Sequence, residues 1–144
     1  MNTIPFLIGR PEIIREFQSI LARLHFEVYL VGGTVRNALY ASIFHQRLLQ
    51  RDFDIACPKE YMQELRLLLL DCGFVPGNIQ RDDQYTMKKP AKENPQTLSD
   101  FIVFDISECE SDSLLALKKV DFTIGGSILP FSKILETDWK QYIF

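Results

Sequence analysis

An α+β fold, a small mixed β-sheet backed by helices, follows from three features of the sequence. Segments with helical periodicity alternate with short β-rich segments, in the order αβαβα and then ββ(α)β. Glycine and proline stand where the period changes, at Gly32-Gly33, Pro58, Gly73 and Gly125-Gly126. The length of 144 residues, with 47% hydrophobic and 24% charged, suits one ordinary globular domain and not a disordered chain.

The elements are expected as follows. Residues 10–26 read as a helix: Pro11 suits the first turn, and Ile13, Ile14, Phe17, Ile20, Leu21 and Leu24 recur on one face. Residues 27–31, "EVYLV", form a short strand that stops at Gly32-Gly33. Residues 34–49 read as a second helix with Thr34 as N-cap. "DFDIAC" (52–57) is the next strand, and Pro58 opens a third helix over 58–73 that ends at Gly73. The stretch 75–98 is polar and rich in Pro, Gly, Asn and Gln, so loops are expected around one short strand at 84–89. "DFIVFDIS" (100–107) is a strand, 111–119 a short helix capped by Ser111 or Ser113, and 120–129 a strand broken by Gly-Gly. The tail from Pro130 onward carries no decisive pattern.

Composition narrows the function. No apolar run is long enough to span a membrane, and the N-terminal apolar patch is too short for a signal peptide and has no basic residue before it. Cys57, Cys72 and Cys109 are odd in number and lack a CxxC pair, which fits reduced thiols in a cytoplasmic protein. His25 and His45 have no partner at metal-ligand spacing. A net charge of −3 argues against a broad electrostatic grip on nucleic acid by this chain alone, and leaves room for a local basic pocket.

Four short motifs carry chemistry. Gly32-Gly33 sits between a strand and a helix start, where free N–H groups attract phosphate and a missing Cβ permits close approach. Arg36 lies in the first turn, where its planar fork suits a pair of phosphate oxygens. A tight strand-to-helix turn with a surface arginine fits the same residues. Asp52 and Asp54 are two apart on a strand, so they share a face at roughly 6.5–7 Å along it. Such a pair repels until a cation joins it, and two divalent ions could bridge there. Two solvated aspartates on an edge strand are the alternative, but Phe53 and Ile55 signal a buried back face. In 100–107, Ile102, Phe104 and Ile106 alternate with Phe101, Val103, Asp105 and Ser107. If the first set packs on helices, Asp105 faces the same side as Asp52 and Asp54, and an acid in an apolar strand calls for a partner or a metal. Finally, in "KKVDFTIGG" Asp121 shares a face with Thr123 and follows Lys118-Lys119. The carboxylate suits a ribose hydroxyl and a lysine suits a triphosphate; a polar strand start suits the pattern as well.

In this order the motifs resemble the head domain of class II tRNA nucleotidyltransferases (CCA-adding enzymes) and bacterial poly(A) polymerases, of the DNA polymerase β-like nucleotidyltransferase superfamily. The family pattern V-G-G-x-V-R-D is matched by Val31-Gly32-Gly33-Thr34-Val35-Arg36-Asn37, and D-F-D-I-A by Asp52-Phe53-Asp54-Ile55-Ala56. The family's R-R-D-F-T-I-N-A corresponds to Lys119-Val120-Asp121-Phe122-Thr123-Ile124-Gly125-Gly126. The resemblance spans roughly residues 25–128 of a single 1–144 domain and implies a polymerase β-like palm, without the neck, body and tail that family members add. It implies transfer of a nucleoside monophosphate from ATP or CTP to an RNA 3′ end, in the family a tRNA, with release of pyrophosphate. Two Mg2+ ions would be held by Asp52, Asp54 and Asp105, with Asp105 helping to activate the 3′-hydroxyl. Gly32, Gly33, Arg36 and Lys119 would bind the triphosphate, and Asp121 the ribose. The chain departs from the pattern at Asn37, Val120, Gly125 and Gly126, and its link from Arg36 to Asp52 is longer. These departures fall on triphosphate and sugar contacts; the carboxylates are intact. A stand-alone head that modifies a protein or another RNA, or a nucleotide-binding module without turnover, are the competing expectations.

Overall fold

The computed structural model describes residues 3–8, 14–46, 48, 52–97, 100–109 and 128–143. Helices α1 (Ile4–Ile8) and α2 (Ile14–Arg23) lead into strand β1 (Tyr29–Val31) and helix α3 (Gly33–Phe44). Strand β2 (Asp52–Pro58), helix α4 (Met62–Asp71) and strands β3 (Val75–Gln80), β4 (Gln84–Pro90), β5 (Phe101–Cys109) and β6 (Ile128–Pro130) follow.

Side-chain spacing explains each element. In α2, Phe17 and Ile20 are buried on one face, with Glu16 in the first turn and Arg23 in the last, where each charge opposes the helix dipole. In α3 the buried positions are small or β-branched, namely Thr34, Val35, Ala38 and Ala41, so the helix lies close on the sheet. In α4 Met62, Leu65 and Leu69 recur at helical spacing and are buried. In the strands the period is two: Phe53, Ile55 and Cys57 of β2 and Ile102, Phe104 and Ile106 of β5 all point to the helices.

The six described strands form one mixed sheet in the order β3-β4-β5-β2-β1-β6. Strands β2 and β5 run parallel; the other neighbours are antiparallel. The four described helices contribute to a single core on one face of this sheet. Its centre is Phe17, whose ring lies 5.5 Å from Phe53, 5.9 Å from Phe104 and 5.8 Å from Phe131, centroid to centroid. Over β2, β5 and β4 the other face, among the described residues, bears the exposed Asp52 and the half-buried Asp54, Val103, Asp105 and Lys88. Towards β1 and β6 it carries a small apolar cluster of Tyr29, Val31, Ala56, Cys109 and Ile128. Among the described residues no helix is long and apolar enough to cross a membrane.

The fold agrees with the expected mixed sheet backed by helices, and several local expectations are corrected. β2 runs on through Pro58, and α4 starts only at Met62 after a 3-10 turn at Lys59–Tyr61. α3 ends at Phe44 because His45 adopts a left-handed conformation, φ 51°. Residues 75–80 are a strand, not a loop, held by pairing with β4. The tail packs tightly: Trp139 and Ile134 are fully buried, and the Phe131 amide donates to the Val28 carbonyl at 2.7 Å. Asp100 is buried and accepts hydrogen bonds from the Gln96 and Thr97 amides at 2.9 and 3.1 Å. Those amides hold its carboxyl down at about 2. The expected helix at 111–119 and most of the strand at 120–129 lie outside the described residues; Ile128 and Leu129 stand in β6, paired with β1.

Candidate active site

The open face of the sheet gathers the acidic residues through strand register alone. Asp54 of β2 lies directly beside Asp105 of β5, and Thr86 of β4 continues the row. The next row on the same face is Asp52, Val103 and Lys88. Neighbouring strands are about 4.8 Å apart and same-face neighbours about 6.5–7 Å apart, so the three carboxylates form one compact triangle. Asp52 is exposed, and Asp54 and Asp105 are half-buried. β2 is flanked by β5 and β1, so the Asp-Phe-Asp motif sits inside the sheet and not at an edge.

The electrostatics follow from this placement. The Asp54 carboxyl is pushed above its ordinary value, first by burial, then by the charges of Asp105 and Asp52. Asp105 is steadied from β4: Gln84 Nε2 donates to its Oδ1 at 3.4 Å, and Gln84 Oε1 accepts from the Arg81 guanidinium.

On the other side of the carboxylates, β1 runs into α3 at Gly32-Gly33. Gly32 is the N-cap residue, with φ 62° and ψ −129°, a conformation that a residue with Cβ adopts only under strain. A Cβ there would meet open space, so conformation and not crowding selects glycine. Thr34 is not the cap. It is buried, and its Oγ1 accepts the Asp54 amide hydrogen at 3.1 Å, which pins the first turn of α3 against β2. Arg36 lies exposed in that turn with its guanidinium folded back over Gly33; a Cβ on Gly33 would stand 3.3 Å from Arg36 Nη2. Lys119 and Asp121 lie outside the described residues.

Beyond Asp52 and Asp105, towards β4 and β3, the face sinks into a groove of about 250 Å³. Val103, Ile79, Asn78 and Lys88 line it with the two carboxylates. Gly77 makes the β3 wall possible: a Cβ there would stand 2.4 Å from Thr86 Oγ1, the atom that accepts the Ile79 amide hydrogen at 3.1 Å. This wall falls where the sequence predicts mostly loop, because "VPGNIQ" carries no apolar alternation. The alternation of Gln84, Thr86 and Lys88 against the buried Tyr85 and Met87 marks only β4, the strand that the sequence predicts at 84–89.

Among the described residues no group of three or more His, Cys, Asp or Glu side chains is placed so that it could hold a metal ion as it stands. The donor set nonetheless fits hard divalent cations: all three groups are carboxylates, they share one face, and Asp54 is held in mutual repulsion that a cation would relieve. A scan against protein-family models finds no match to this chain, and a search of curated proteins finds none either.

Proposed function

We propose that the protein is a metal-dependent nucleotidyltransferase with a polymerase β-like palm, transferring AMP or CMP from ATP or CTP to an RNA 3′ end, in the manner of a CCA-adding or poly(A)-adding head domain in the cytoplasm. The observation that carries this reading is the register of Asp54 beside Asp105, with Asp52 on the same face two residues along.

In this reading each group has a defined task. The α3 N-terminus at Gly32-Gly33 and the Arg36 guanidinium bind the triphosphate, and Lys119 and Asp121 complete the nucleotide contacts. Asp105 accepts the proton of the acceptor hydroxyl. The acceptor oxygen then bonds to the α-phosphorus while the bond from that phosphorus to the β-phosphate bridging oxygen breaks, and pyrophosphate leaves. Asp52, Asp54 and Asp105 would hold two Mg2+ ions, which when bound supply neutralising charge to the triphosphate and acidify the hydroxyl. Most of the catalysis is positioning and charge neutralisation, so rigid strands are a suitable platform.

Calorimetric titration with ATP and Mg2+ tests the reading. Wild-type protein is expected to bind ATP only with the cation, and Asp52→Asn/Asp54→Asn to lose that binding. Equal affinity in the two proteins sinks the proposal. Extension of a tRNA lacking its 3′ end then identifies the acceptor. Labelling of a polypeptide instead would point to a protein-modifying enzyme.

A further inference from the structure

The groove between the carboxylates and the β3–β4 hairpin has a composition of its own, which no motif in the sequence announces. One rim is anionic, Asp52 and Asp105; the opposite side bears Lys88. Its floor includes the aliphatic Val103 and Ile79, and Asn78 adds an amide. Lys88 Nζ lies 5.1 Å from the centre of the Phe101 ring, so its cation stays on this face of the sheet.

The sheet order gives the groove a direction. Gly32-Gly33 and Arg36 follow β1, on one side of β2; the groove lies over β5, β4 and β3, on the other side. The Asp54–Asp105 pair stands between them. An in-line displacement needs the attacking oxygen and the leaving group on opposite sides of the phosphorus. With a triphosphate leaving towards α3, the attacking hydroxyl enters from the groove.

We infer that this groove is the acceptor subsite and takes the terminal nucleotide of a single-stranded RNA. The base lies on Val103 and Ile79 with Asn78 at its polar edge, the backbone phosphate meets Lys88, and the 3′-hydroxyl points to Asp105. The inference rests on the nucleotidyl-transfer reading for the role of the carboxylates. The cation at Lys88 favours a polynucleotide end over a neutral polypeptide hydroxyl, because a phosphodiester supplies the matching charge one residue from the reacting group. The volume, below the roughly 300–1,000 Å³ of drug-sized pockets, admits one such unit and not a duplex.

The test is fluorescence anisotropy with a labelled oligoadenylate bearing a free 3′-hydroxyl, without turnover, beside ATP titration in Mg2+. One phosphate contact to a single strand contributes a salt slope of about 0.7, hence roughly 8-fold in affinity at about 50 mM salt. Lys88→Met and Lys88→Gln are each expected to lose that factor and that part of the slope, while Lys88→Arg keeps both and ATP affinity stays the same. Oligonucleotide binding that is equal in wild type and Lys88→Met, or absent in wild type, overturns the inference. So does transfer of label from ATP to a polypeptide while the oligonucleotide is ignored. The two readings separate cleanly: loss of the difference between wild type and Asp52→Asn/Asp54→Asn in ATP binding strikes the enzymatic proposal, whereas an unchanged Lys88→Met strikes the groove alone.

Discussion

The two faces of the sheet are made by the same strands with the same alternation, yet they differ in what surrounds them. On the covered face the central strand positions are apolar and closed, from Leu30 and Phe53 to Phe104 and Leu129, and Lys89 at the end of β4 donates to the Cys72 carbonyl. On the other face the same strands carry an apolar cluster near β1 and β6, and then three carboxylates, a threonine and a lysine over β2, β5 and β4. A fold of this kind concentrates its stability on one side and leaves like charges together on the other. The polar end of the open face is therefore the region whose composition stability does not explain.

Breaking the open face should abolish function and spare the fold. Asp52→Asn/Asp54→Asn removes charge that would compensate several kcal/mol in the transition state, so nucleotide transfer is expected to fall on the order of a thousandfold or more, read as labelled product, with the circular dichroism spectrum unchanged. Breaking the covered face should do the reverse. Phe104→Ala empties the centre of the aromatic core, and chemical denaturation should register a loss of about 3–5 kcal/mol. Three residues on, Ser107→Ala on the exposed side should stay within about 0.5 kcal/mol.

A smaller effect sharpens the boundary between the faces. Gly32→Ala forces a Cβ onto a backbone at φ 62°, expected to cost about 1–3 kcal/mol, and the same denaturation curves measure it. The smallest effect has the opposite sign. Asp54 has a raised carboxyl, so the native state holds more proton than the unfolded state just above the ordinary value of 3.8, and stability falls as pH rises through that window. Metal-free Asp54→Asn should therefore melt higher than wild type at neutral pH, with the gain shrinking as pH is lowered towards 3.8. Added Mg2+ should narrow the gap from the wild-type side. A wild type that melts above Asp54→Asn in the absence of metal would show that the carboxylates are not in conflict.

Much of this was legible in the chain. The alternation in "DFIVFDIS" placed Ile102, Phe104 and Ile106 on the helices and Asp105 on the open side, as the structure has it. The Gly-Gly turn and the strand at 84–89 were equally plain. β3 was not, because "VPGNIQ" lacks an apolar alternation and contains both Pro and Gly; its strand exists only through its pairing with β4. Thr34 looked like a helix cap on local grounds, but the amide of Asp54, twenty residues away, engages its hydroxyl. The tail was opaque for the same reason: Trp139 is buried by distant partners, not by a local period.

The sequence by itself determined which residues face together, since side-chain period is a local property of the backbone. It therefore determined the α+β class, the covered face and the common side of Asp52, Asp54 and Asp105. Only the tertiary structure decided which of them are neighbours. The parallel pairing of β2 with β5 sets Asp54 beside Asp105, and the antiparallel pairing of β4 with β5 brings Thr86 and Lys88 alongside. Register between strands distant in the chain is settled by the packing of the whole core, and no short motif carries it.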